Sequence, residues 1–190
     1  MKNYFGSMAT LVLAIGLLTL PAGAQDMAKK EVARKPAPSP SQAVLEAWNE
    51  IGRKLIAMAE DFPEDKYDFK PNPEQRSFAE QLLHLAGSND LFTDVAQGRK
   101  PADDESRANY KTKADVVAYV KKQFADGAAL IKAKGDRGMN DVVTDAESQQ
   151  RTRVGDLAWG VVEHCGEHYG QLVVYYRVAG LVPPESRPKK

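Results

Sequence analysis

The chain has 190 residues, with 26 basic and 26 acidic side chains, three histidines and a single cysteine. Balanced charge, with no long basic run after Lys35, argues against nucleic acid as a partner. One cysteine, Cys165, cannot close an intramolecular disulfide.

Met1 to Ala24 reads as a cleavable signal peptide. Lys2 precedes an apolar run from Met8 to Leu20, and Ala22-Gly23-Ala24 offers a small-x-small cleavage pattern, which puts the mature start at Gln25. The run is shorter than the roughly 20 residues a spanning helix needs, so no membrane attachment is expected after cleavage. The sequence therefore predicts an exported protein, periplasmic or secreted. Residues 25–38 hold Lys29, Lys30, Lys35, Pro36 and Pro38 and almost no bulky apolar side chain, as in a flexible leader. The remainder of the chain is long enough for one domain with a sizeable core.

The first predicted helix opens at Ser39-Pro40-Ser41-Gln42, a capping box with proline in the first turn. Val44, Trp48, Ile51, Leu55, Met58 and Phe62 then recur at spacings of four and three, one apolar stripe that Pro63 stops. Glu64 to Arg76 reads as an extended connection. Ser77 and Glu80 box the second helix, which ends before Gly98. Phe78, Leu82, Leu85 and Phe92 line one face of it, and Gln81, His84, Ser88, Leu91 and Val95 a mixed second face. Ala102 to Lys111 is polar and irregular. The third helix runs from Thr112, with Asp115, to Lys134 and closes at Gly135. It buries Val116, Val120, Phe124, Ala128 and Ile131, while Gly127 inside it costs about 1 kcal/mol relative to alanine. Asp136 to Arg151 has no period and reads as a loop.

The fourth helix, from about Thr152 to Ala179, carries Leu157, Val161, His164, His168, Leu172, Tyr175 and Ala179 along one seam. Gly180 ends it and Pro183-Pro184 blocks continuation. Four amphipathic helices without a convincing strand predict an all-α four-helix bundle over residues 39–184, with a tail at 185–190.

All three histidines of the chain fall on two of these helices. His164 and His168 are one turn apart on the same face, and His84 lies on the second helix. Each buried imidazole needs partners for two nitrogens, and one metal ion satisfies a nitrogen on every ring at once. Three protein ligands are the number typical of a catalytic site that keeps a position open. Gln171, Gln81 and Ser88 project near these faces and suit either the orientation of a ligand or the fixing of ring tautomers. Glu163 and Glu167 point about 100° away from their neighbouring histidines. Cys165 reads as a small buried residue.

The run Ser77-Phe78-Ala79-Glu80-Gln81-Leu82-Leu83-His84-Leu85-Ala86 pairs with a second motif in the fourth helix. Together with His164-x-x-x-His168-x-Gly170-Gln171-Leu172-x-x-Tyr175-x-Arg177-x-x-Gly180 and Pro183-Pro184, it resembles the DinB family. That resemblance implies a DinB-type four-helix bundle in which His84, His164 and His168 ligate a divalent transition ion such as zinc, nickel or iron. It implies that homodimers are common. It leaves two functional classes open: a metal-dependent hydrolase or transferase on a small molecule, and a non-catalytic metal- or ligand-binding bundle.

Overall fold

A computed structural model of the chain describes residues 36–101, 105–144 and 149–188. The expected signal peptide, residues 25–35 of the leader and the last two residues of the tail lie outside the described residues. The compact unit begins at Pro38 and is built on four helices: α1 (Pro40–Asp61), α2 (Phe78–Val95), α3 (Lys113–Gly138) and α4 (Val154–Val178). α1 and α2 each pack against both α3 and α4, so α1 stands diagonally across from α2 and α2 lies beside α4. Among the described residues no helix is long and apolar enough to cross a membrane.

Three of the four helix starts are decided locally. Ser39, Ser77 and Thr112 take extended backbone and accept the amides of Gln42, Glu80 and Asp115, whose side chains reach back to the cap amides. Such a cap stabilises a helix by about 1 kcal/mol. α4 starts without a side-chain cap. Its first amides, of Val154 and Gly155, donate instead to the carbonyls of Asp141 and Met139.

That arrangement comes from a feature the all-α reading lacks. β1 (Val142–Thr144) and β2 (Arg151–Arg153) pair antiparallel, Val143 opposite Thr152, and β2 runs straight into α4. The reading of 136–151 as loop is corrected accordingly. Each strand is three residues long and mostly exposed, so neither leaves a periodic apolar signature.

At the other end of α4, Gly180 takes φ 76° and Leu181 donates to the Tyr176 carbonyl while Gly180 donates to that of Arg177. This is a Schellman stop, which the left-handed glycine permits at no steric cost. Beyond it, Glu185 pairs with Arg53 at 2.7 Å and Arg187 with Asp61 at 2.5 Å.

Trp48, Leu55 and Met58 of α1, with Phe62 just past its end, meet Phe78, Leu82, Leu85 and Phe92 of α2 and Val116, Val120 and Ile131 of α3 in one buried cluster. Phe62 stacks on Phe78 at 3.8 Å between ring centroids. Full burial of side chains of this size stabilises by about 1.5–3 kcal/mol each. The last carbonyls of α1 are capped from outside the helix: the Tyr67 and Tyr176 hydroxyls donate to those of Ala59 and Met58.

α3 breaks at Gly135, whose φ is 57°, and resumes for one more turn. Gly127 lies inside the helix, and a Cβ there would fall within the Trp48 indole. Propensity alone favours alanine at this position by about 1 kcal/mol, but the collision decides the sign. Gly127→Ala is therefore expected to lower stability by about 1–3 kcal/mol, as measured by urea unfolding. Gly160→Ala, on the exposed face of α4 with open space around it, should raise it.

Candidate metal centre

The buried line of α4 is Val154, Ala158, Val161, Cys165, His168, Leu172 and Tyr175. It alternates four and three without interruption and carries His168 but not His164. The predicted seam through Leu157 and His164 is thus shifted by one residue in its first half, and both of those side chains are only half-buried. Cys165 takes the core position, fully buried, with its thiol pushed up to about 12 by burial and donating to Asn89 Oδ1 at 3.6 Å. A thiol so protonated is no nucleophile at neutral pH.

The shift leaves His164 and His168 on the border between the core and the surface, on the side where α4 meets α2. The two helices run antiparallel there, with Phe78 beside Tyr175, Gln81 beside Gln171 and His84 beside the histidine pair. Ring centroids are 5.3 Å apart for His84 and His164, 5.0 Å for His84 and His168, and 4.3 Å for His164 and His168, with interplanar angles of 74°, 84° and 81°. One nitrogen from each of the three lies within 4.8 Å of the others.

Two of the rings are held from behind. Gln171 Oε1 faces His168 Nδ1 at 3.0 Å and also accepts from Gln81 Nε2. An amide oxygen only accepts, so Nδ1 of His168 carries the proton and its Nε2 keeps a lone pair. The carboxylate of Glu105 does the same for His84, with Oε2 3.0 Å from Nδ1. The unprotonated Nε2 of His168 then accepts from Nε2 of His164 at 3.1 Å. Two ligand nitrogens on one tetrahedral ion, each at its usual bond length, would be about 3.3 Å apart. Donor type, tautomer and spacing all fit a divalent transition ion.

Electrostatics agree. Burial, followed by the neighbouring His164, takes the His168 imidazole down to about 4, and burial, followed by His84, lowers His164. Both are neutral near pH 7, as ligands must be. Between about pH 6.5 and 4 the unfolded chain binds a proton that folded His168 refuses. Stability of the metal-free protein should therefore be full above 6.5 and fall on acidification through that window. Thermal melts from pH 7 to 4 should show this, with a shallower slope in His168→Gln.

Of the other predicted residues, Gln81 and Gln171 reach the site and Ser88 does not; its hydroxyl donates to the His84 carbonyl on its own helix. Glu163 and Glu167 are exposed. Glu105 is the residue sequence reasoning missed. Its signal was Gly87, three residues after His84, where a Cβ would strike the Glu105 carboxylate. A helical glycine one turn from a ligand marks space kept for another chain segment.

A comparison of the sequence with protein families matches the DinB superfamily over residues 47–172. No curated protein matches the sequence. Among solved structures, a DinB-like protein of Bacillus cereus ATCC 10987 is similar, with a TM-score of 0.63 and 12% identity over 74% of this chain and 93% of that one. The DinB-like protein YjoA of Bacillus subtilis matches at a TM-score of 0.60 and 20% identity, covering 77% and 99%. YfiT of Bacillus subtilis, described as a probable metal-dependent hydrolase with an unusual four-helix bundle topology, matches at 0.60 and 16%, covering 78% and 94%.

Proposed function

The chain belongs to the DinB superfamily, and on that premise we propose that it holds one divalent transition metal ion through His84, His164 and His168 and uses it in hydrolysis or group transfer on a small molecule. The observation that carries this reading is the convergence of three ring nitrogens within 4.8 Å, two of the rings held by hydrogen bonds at the opposite nitrogen. The description of YfiT supports the hydrolytic alternative. Zinc, nickel and iron all suit three imidazoles.

When bound, such an ion supplies Lewis acidity, enough to lower the pKa of water towards neutrality or to polarise a carbonyl. The protein's part is positional. Gln171 and Glu105 fix the tautomers of His168 and His84, and three neutral ligands leave the cation its full charge. Glu105 is already engaged by His84, and this favours a second reading, a metal-binding bundle with no general base of its own. Turnover of a panel of esters, amides and thiol acceptors by the zinc-loaded protein separates the two. Activity lost in His164→Ala supports the enzyme; activity that survives that substitution contradicts it.

The apolar run and cleavage pattern of residues 1–24 support export of the mature chain from Gln25. An intact Met1 on protein recovered from the cell envelope would contradict it. A homodimer, common in the family, is the assembly to look for by light scattering.

A further inference from the structure

Among the described residues six large apolar side chains are exposed. Four of them, Trp159, Val174, Val178 and Val182, lie on α4 or the turn that follows it, each between 47% and 57% exposed. On α4 the exposed face runs along Trp159, Glu163, Gly166, Gly170, Val174 and Arg177, opposite the buried line through Cys165 and His168. Nothing in a single copy covers it. A Cβ on Gly160, Gly166 or Gly170 would have no neighbour within 4 Å. Each glycine inside a helix forfeits about 1 kcal/mol relative to alanine, a loss that the folding of one copy does not explain. Among the described residues the Trp159 indole N–H has no acceptor, and neither Glu163 nor Arg177 has an ion-pair partner.

The face is complementary to itself in one direction. Glu163 precedes Gly170, and Arg177 follows it, by the same two helical turns, and both stay within about 20° of its direction around the axis. Two copies of α4 crossing antiparallel at Gly170 therefore bring each Glu163 to Arg177 of the other copy. The same crossing carries each Trp159 towards Val178 and Val182 at the far end of the other helix. A parallel pair would instead set Glu163 on Glu163 and Arg177 on Arg177, and like charges oppose it. Helices that pack lie about 8–10 Å apart, the distance depending on the side chains at the contact, so glycine at the crossing point favours close approach. Of the remaining acids on this side, Asp156 is held by Arg153 at 3.2 Å, and Glu167 lies on the flank, about 60° round from Gly170.

We infer that this face of α4 is the interface of a twofold homodimer, in which two α4 helices pack antiparallel across Gly170. The inference rests on the homodimer reading above and adds the surface and its orientation; it does not depend on the metal. Charge names the occupant. One exposed arginine among acids disfavours an anionic lipid surface, whereas a second copy supplies an arginine for each Glu163 and valines for each Trp159. Aromatic anchors of this kind carry much of the affinity at protein interfaces.

A charge swap read by sedimentation equilibrium over a concentration series of the purified chain tests this. The wild type should be dimeric. Glu163→Arg and Arg177→Glu should each weaken the dimer about 10-fold or more, by setting like charges opposite one another. The double variant Glu163→Arg/Arg177→Glu should return to within about threefold of the wild type. Both side chains are exposed and unpaired in a single copy, so the far-ultraviolet circular dichroism of every variant should match the wild type. A chain that stays monomeric throughout the series overturns the homodimer reading and this inference with it. A dimer that neither single substitution weakens leaves the homodimer standing and overturns the assigned face. A double variant no tighter than the single ones overturns the antiparallel pairing.

Discussion

Zinc is expected to raise the melting temperature of the wild type, and replacing His168 by alanine is expected to abolish that rise. An ion that binds only the folded state stabilises it by about 2.7 kcal/mol when present at 100 times its dissociation constant. For a domain of this size that corresponds to roughly 5–10 °C. Of the three proposed ligands, His168 is the one on which most depends. It is the buried one, its Nε2 is 3.1 Å from that of His164, and its Nδ1 is committed to Gln171. Without it, His84 and His164 remain at 5.3 Å between centroids and lack the ring that both adjoin. The metal-free variant should still fold, because a neutral imidazole at the edge of the core contributes far less packing than Trp48 or Phe78. Equal zinc-dependent shifts in wild type and variant, by thermal melting with and without a chelator, would show that the ion binds elsewhere.

Glu105→Gln is expected to weaken zinc binding by about 10–100-fold while leaving the metal-free protein nearly as stable as before. The two halves of that expectation have different causes. The His84–Glu105 pair is partly exposed, 26% and 39% at the side chains, and a pair so placed contributes about 0–1 kcal/mol to folding. Its effect on the ligand is larger, because a carboxylate behind Nδ1 both fixes the tautomer and raises the basicity of Nε2. Gly87→Ala reaches the same interaction from the other side, by pushing the carboxylate off its seat. Both variants should weaken zinc in competition titrations without changing the Gln171–His168 half of the site. Affinity that stays within about twofold of wild type in both would remove Glu105 from the centre.

The three capping boxes, the proline and glycine stops and the three histidines were legible in the sequence because each is a local pattern. Ser39 needs only Gln42, and His164 needs only His168. The strands at 142–144 and 151–153 were not legible, since three exposed residues acquire strand structure only through their partner. The phase of α4 was misread by one residue along its first half. Spacings of four and three fit both lines, and only packing against α1 and α2 chooses the one through Cys165. Glu105 lay in a stretch with no period at all. Its meeting with His84 depends on where a loop returns, which no local rule fixes.

X-ray absorption at the zinc edge, on the metal-loaded full chain, tests the central claim most directly. Three imidazole nitrogens at about 2.0–2.1 Å, completed by oxygen, are predicted for the wild type, with one nitrogen fewer in His84→Ala. A sulfur scatterer at about 2.3 Å, or a shell of oxygen alone, would contradict it.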